Sequence, residues 1–358
     1  MPRTMLVTGG AGFIGSSLAI HFKQRDPDLR VIAFDNLRRR GAELNVGRVR
    51  AAGVEFSHGD VRVAADLEVF QQDLDVIVEC SAEPSVLAGR DGQVRYVIDT
   101  NLIGCVNCLE LARTTGAAFV FLSTSRVYPV STLCRLRYAD RGERFDLLDD
   151  QPVAGVSSRG IAEEFPLDGP RTLYGTTKLA AELLIAEYVD MFGLRAIVNR
   201  CGVVSGPWQM GHAEQGVFAH WMMAHAFARP LAYIGFGGQG HQVRDVLHVE
   251  DLGDLIDIQL AQRASLNGDV VNAGGGLANS VSLLQFTRLC QALTGTSLEI
   301  ASRPETRPGD VPVYITDNTR VHARFGWEPR RSVDDLARDL HQWIRAHEPA
   351  LRAALGLS

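Results

Sequence analysis

Six short apolar, β-branched runs recur through the first 200 positions, separated by segments of helical spacing. The runs are TMLVT (4–8), RVIAFD (30–35), VEFSHGD (54–60), DVIVEC (75–80), AFVFLS (118–123) and RAIVNR (195–200). Helical spacing marks 14–25, 42–52, 64–72, 93–115 and 173–192. A strand buried on both faces has no polar side to show, so it reads as an almost unbroken apolar run. Such runs alternating with helices call for an α/β chain whose parallel sheet is covered on both faces. Right-handed crossovers make that sheet doubly wound.

The rhythm breaks between Tyr128 and Tyr174, where prolines and charges replace periodicity; a long irregular connection of this kind is usually functional or mobile. Past residue 200 the expected helices are 213–227, 249–262, 282–294, 317–325 and 333–345, with strands at 231–234, 243–247, 270–273 and 298–301. This predicts a smaller mixed α/β substrate domain beside the carboxyl edge of the sheet. The division expected is 1–200, with a return segment near 241–264, and 201–358. A formal net charge of -6 gives no field to recruit nucleic acid, and Arg38, Arg39 and Arg40 read as solvated surface. No apolar run reaches membrane-spanning length, and MPRTMLVTGG enters a strand at once, so no membrane partner is expected. The six cysteines show no CxxC or Cys/His spacing, which favours a reduced, cytoplasmic setting and no metal.

VTGGAGFIGSS places Gly9, Gly12 and Gly15 three apart, after the first strand and at the opening of a helix. Glycines let the backbone turn sharply and approach a pyrophosphate, whose charge suits the helix N-terminus. The bland alternative is a tight strand-to-helix turn, but the strand context is what the dinucleotide fingerprint requires. The sheet is therefore expected to be Rossmann-type. Asp35 ends the second strand, twenty residues after Gly15. A carboxylate there accepts hydrogen bonds from a ribose and repels a 2′-phosphate, favouring NAD. Arg38 works against that preference, being placed to hold a 2′-phosphate. Asp60 is placed to meet the adenine or, equally, to build a turn beside Gly59.

RTLYGTTKLAAELL puts Tyr174 and Lys178 four apart on one helix face. A nearby ammonium favours the phenolate. Lowering a phenol pKa by roughly 3 units takes about 4 kcal/mol. An isolated YxxxK is an ordinary amphipathic helix; behind a dinucleotide fold it reads as a proton acceptor and its partner.

TGGAGFIG, YGTTK and the hydroxyls before Val127-Tyr128 together resemble the extended short-chain dehydrogenase/reductase family of nucleotide-sugar epimerases and dehydratases. The resemblance implies a catalytic set of Thr124, Tyr174 and Lys178: Thr124 bonds the sugar oxygen, Tyr174 takes its proton, and Lys178 holds the nicotinamide ribose. It implies NAD contacts from Gly9, Gly12, Phe13, Ile14, Gly15, Asp35, Asn36, Asp60, Val61, Ser81, Ala82, Asn101, Tyr174 and Lys178, with Asn101 steadying the catalytic loop. It also implies a homodimer through the helices that carry Asn101 and Tyr174.

Dehydratases of that family carry Asp-Glu directly after the hydroxyl; here Ser125 and Arg126 stand there, which disfavours elimination. GPWQMGHAEQGVFAHWMMA (206–224) and GGQGHQVRDVLHVEDL (237–252) are similar to the family's 2-epimerases acting on CDP-hexoses of the paratose and tyvelose type. That similarity implies transient oxidation at C2 and hydride return. Ser125, Arg126, Gln209, Gln215, Arg244 and Arg307 fall on the substrate side, with Arg244 and Arg307 as diphosphate clamps, and His248 in a lesser part. The alternatives are a 4-epimerase, a net sugar-nucleotide oxidoreductase, or a non-catalytic NAD-binding protein. Two departures stand out: Pro129 follows Val-Tyr where glycine is usual, and Val203 occupies a usual asparagine position.

Overall fold

The computed structural model describes residues 3–39, 41–90, 92–211 and 216–357. Its main sheet has seven strands, all paired in parallel: β1 Thr4–Thr8, β2 Arg30–Asp35, β3 Glu55–His58, β4 Val76–Glu79, β5 Ala118–Thr124, β6 Ala196–Cys201 and β7 Asp269–Ala273. Their spatial order is β7-β6-β5-β4-β1-β2-β3, so the winding reverses between β1 and β4. At such a switch point the strand ends diverge and leave a crevice.

Alternate side chains explain the unbroken apolar runs. Met5, Val7, Val120 and Leu122 face one core, closed by α1 (Phe13–Arg25). Leu6, Phe119 and Phe121 face the other, closed by α2 (Gly104–Thr115) and α3 (Leu173–Phe192). The first core is completed by Leu252, Leu255 and Ile256 of α4 (Val249–Ala261). Thus the chain re-enters the main body through α4 and β7. Of the expected return segment 241–264, the strand Val243–His248 instead joins a second sheet with Val203–Ser205, Ser280–Ser282 and Val313–Tyr314. A third core, around Phe218, Trp221, Phe286, Leu340 and Trp343, supports that side.

The connection after Tyr128 is folded rather than irregular. Val127, Tyr128, Phe145, Ile161 and Phe165 share a core with Val243, Val313 and Tyr314. The Ile161 N–H donates to the Ile315 carbonyl at 2.8 Å, which fixes the segment to the second sheet. Pro129 caps a one-turn helix, Val130–Leu133, whose first bond runs from Leu133 N–H to the Pro129 carbonyl. Its fixed φ suits that start, which accounts for the departure from glycine. Among the described residues, no helix is long and apolar enough to cross a membrane, and all six cysteines are free thiols.

Candidate active site

A cavity of about 960 Å³ opens at the switch point, lined by the glycine loop, the ends of β2, β4 and β5, the start of α3, and the second sheet's side of the molecule. Gly9 holds φ 61, and a Cβ there would stand 2.9 Å from the Cys80 carbonyl oxygen. At Gly15 a Cβ would collide with the Gly9 carbonyl oxygen. Only glycine meets both demands. Gly12 is the N-cap of α1, so free N–H groups of the first turn face the cavity. The residues present thus fit a dinucleotide pyrophosphate at α1 and a ribose at Asp35. Phe13, Ile14, Asn36, Val61, Ser81 and Ala82 line the same cavity.

Asp35 is anchored by its own neighbours. Its carboxylate accepts the Ala11 N–H at 3.1 Å and the Leu37 N–H at 2.7 Å. Burial pushes its carboxyl above the usual range, against those hydrogen bonds. Asp60 turns to local partners: Arg62 Nη2 at 2.5 Å, the Arg62 N–H at 3.0 Å and Asn36 Nδ2 at 3.0 Å. The turn-building reading is the one the structure favours, with Gly59 and Val61 rather than Asp60 in the cavity wall. Arg38 and Arg39 line the cavity mouth instead of standing apart as plain surface, and Arg38 lies 4.2 Å over the Tyr96 ring. Arg40 lies outside the described residues.

The expected catalytic residues Thr124, Tyr174 and Lys178 come together where α3 meets the end of β5. Thr172 caps α3, accepting the Gly175 N–H at 3.2 Å. Gly175 lies so close to the Arg126 carbonyl that a Cβ would overlap it, which seats the helix directly on the Thr124–Arg126 loop. Thr124 accepts the Arg126 N–H at 3.2 Å, and its side chain lies close enough to the Tyr174 hydroxyl to favour the phenolate. Burial pushes that hydroxyl above the usual phenol range, and Lys178, Thr124 and Arg126 pull it down without prevailing. The expected influence of Lys178 therefore has the expected sign but is outweighed by desolvation. Ser125 and Arg126 line the cavity. Ser123 lines the cavity too, but its hydroxyl is committed, donating to the Glu182 carboxylate.

Lys178 is held from behind by a residue that the sequence reading passed over. Glu79, the last residue of β4, brings Oε2 within 3.3 Å of Lys178 Nζ, with the two side chains 1% and 2% exposed. Burial works to strip the lysine proton, but Glu79 and Tyr174 overcome it and hold the ammonium above the usual range. The signal was a glutamate ending an otherwise apolar run. Asn101 sits in a π-helical turn, Asp99–Ile103, with its amide clamping two elements. Its Oδ1 accepts the Glu83 N–H at 2.7 Å, and its Nδ2 donates to the Glu83 carbonyl and to Thr177 Oγ1, both at 3.1 Å.

On the substrate side, Arg244 donates to Asp310 Oδ1 at 2.6 Å and to the carbonyls of Val311 and Val243, both at 2.7 Å. It lines the cavity with Arg307, but its fork is oriented by Asp310 rather than standing open. Gln209 lines the cavity while its amide braces the Val204 carbonyl and Ser205. Gln215 lies outside the described residues. His248 belongs elsewhere: it caps α4, accepting the Glu250 N–H. Val203 starts the second sheet and lines the cavity, giving an apolar wall at the usual asparagine position. Among the described residues, one trio has metal-ligand spacing, His21, Asp254 and Asp257, away from the cavity, and Arg25 reaches both acids, at 3.6 and 3.1 Å.

The profile of the NAD dependent epimerase/dehydratase family matches residues 5–274. The chain belongs to that family. It is therefore an NAD-dependent enzyme. The chain is 29% identical to CDP-paratose 2-epimerase of Salmonella typhi over 95% of its own length and 98% of that protein's. It is 26% identical to dTDP-glucose 4,6-dehydratase of Mycobacterium tuberculosis, covering 98% and 97%. A solved structure, UDP-glucose 4-epimerase of Thermus thermophilus in complex with NAD, superposes with a TM-score of 0.75 at 26% identity, covering 96% of this chain and 99% of that one.

Proposed function

We propose that this family member is a nucleotide-sugar 2-epimerase acting on a CDP-hexose of the paratose and tyvelose type. The observation that carries this is the loop at the end of β5: Thr124 lies beside the Tyr174 hydroxyl and favours its phenolate, and Ser125 and Arg126 stand where elimination would need acids. The similarity to the Salmonella protein supports C2 as the reacting carbon. Bound NAD supplies hydride acceptance and return. Thr124 Oγ1 holds the sugar oxygen, and Tyr174 Oη takes the hydroxyl proton as the C2 hydride leaves. The 2-keto sugar turns over within the cavity and is reduced on its other face, and Tyr174 gives the proton back. No net redox results, so the same NAD serves repeatedly.

Under this reading residues 1–200, with a return near 241–264, hold NAD, and 201–358 hold the nucleotide sugar. Arg244 and Arg307 face the diphosphate, with Arg126 and Gln209 on the substrate side. The apolar residues Ile103, Leu183, Met191 and Phe192, 40%, 64%, 65% and 50% exposed, lie at the start of α2 and along α3, and support a homodimer across those helices. Free thiols support a cytoplasmic setting. The Thermus neighbour supports a second reading, inversion at C4 of a UDP-hexose. Proton NMR of CDP-paratose, CDP-glucose and a UDP-hexose incubated with the enzyme decides between them. Inversion at C4, loss of water, or unchanged turnover in Tyr174→Phe defeats the proposal.

A further inference from the structure

A carboxylate that is 1% exposed is rare in a protein interior unless it is paired. Glu79 sits at the carboxyl end of a central parallel strand, behind the wall of the cavity rather than in it. Its carboxylate is fixed on several sides: Lys178 Nζ lies 3.3 Å away, and the Ser81 N–H and the Thr8 side chain also bond it. Lys178 is fixed on a further side by the Phe121 ring, whose centroid lies 4.3 Å from Nζ. The remaining titratable groups facing the pair are Tyr174 on α3, Cys80 on β4, Cys105 and Cys108 on α2, and Cys201 on β6. Burial pushes all four thiols upward, Cys201 to about 12, so they carry no charge at neutral pH. The charges acting directly on Tyr174 are therefore those of Lys178 and Arg126, both of which pull its hydroxyl down, while Glu79 acts on Lys178.

We infer that Glu79 is a positioning residue of this site, holding Lys178 against the strand end and keeping its buried ammonium charged beside Tyr174. A lone ammonium this deeply buried tends to shed its proton; the carboxylate behind Lys178 preserves the charge that favours a phenolate at Tyr174. Glu79 thus acts on Tyr174 through Lys178, against the burial that holds the hydroxyl above the usual phenol range. The inference rests on the assignment of Tyr174 as the proton acceptor but not on the identity of the sugar.

The test is ultraviolet titration of tyrosinate in the purified full-length protein, wild type against Glu79→Gln. Subtracting Tyr174→Phe in each background isolates Tyr174. Removing the carboxylate that keeps Lys178 charged is expected to raise the Tyr174 pKa by about 1 unit. The acid limb of the kcat/KM profile should move up in pH by the same amount, because that limb reports the free enzyme's base. A misfolded or loosened site would lower activity without that parallel displacement. Glu79→Asp keeps the charge on a shorter arm and should give a smaller shift in the same direction; it decides the question where the Gln variant yields no folded protein. An unchanged Tyr174 titration, or one that moves down, overturns the inference. The spectroscopic reading stands even where no tested sugar nucleotide is turned over, so failure of the epimerase reading is seen separately.

Discussion

Replacing Glu182 by leucine should expose how the catalytic strand is held from beneath. The Arg200 guanidinium meets the Glu182 carboxylate at 2.7 Å through Nη2 and at 3.1 and 3.2 Å through Nε, with the two side chains 6% and 4% exposed. Arg200 also donates to the Tyr128 hydroxyl at 3.3 Å, and that hydroxyl donates to Asn272 Oδ1 at 2.8 Å. Ser123, the residue before Thr124, donates to the same carboxylate. Removing one partner leaves a buried charge without compensation, a loss of about 3–5 kcal/mol. That is a large share of a typical total stability of about 5–15 kcal/mol. Replacing both partners, as in Glu182→Leu with Arg200→Met, removes the desolvation penalty along with the attraction and should lie within about 2 kcal/mol of wild type. Urea unfolding followed by fluorescence and by circular dichroism measures both, provided the two transitions coincide. A single variant within about 1 kcal/mol of wild type, or a double variant as unstable as the single, would refute the reasoning.

Two further outcomes are expected. Asn101→Ala removes the amide that ties Glu83 to Thr177, so turnover should fall roughly ten- to a hundredfold, a barrier increase of about 1.4–2.7 kcal/mol, while circular dichroism stays unchanged. Arg62 holds the Asp60 carboxyl down at about 2, below its usual value of 3.8. Because the folded pKa is the lower one, this stabilisation is present above pH 3.8 and is lost as pH falls toward about 2; screened by solvent, it amounts to about 1 kcal/mol. The stability difference between wild type and Asp60→Asn, followed by urea midpoints, should therefore shrink across that window.

The main sheet was legible because five of its first six strands are largely buried, β3 at the sheet edge being the exception. The apolar run TMLVT and strand β1 coincide at Thr4–Thr8, and the helix expected over 173–192 is α3. Sites fixed by local spacing, the glycine loop and the Tyr174–Lys178 pair, were legible for the same reason. What escaped depends on partners far apart in sequence. The strands Val203–Ser205 and Ser280–Ser282 have three residues each and exist through pairing with Val243–His248. The 129–172 connection shows no period because its apolar residues answer to Tyr128 and the second sheet rather than to a face of their own. Glu79 was overlooked because a charge at a strand end usually marks where the sheet meets water. Only the fold shows that this end meets Lys178, 99 positions later.

The contact between Gly175 and the Arg126 carbonyl makes position 175 a spacer of zero thickness. Enlarging it by one methyl would wedge α3 off the loop, separating Tyr174 from Thr124 while leaving both cores intact. Sensitivity to substitution in this enzyme should therefore peak at a residue with no functional group, and a chemically silent change there would leave a well-folded protein that still takes up NAD and no longer turns over its sugar.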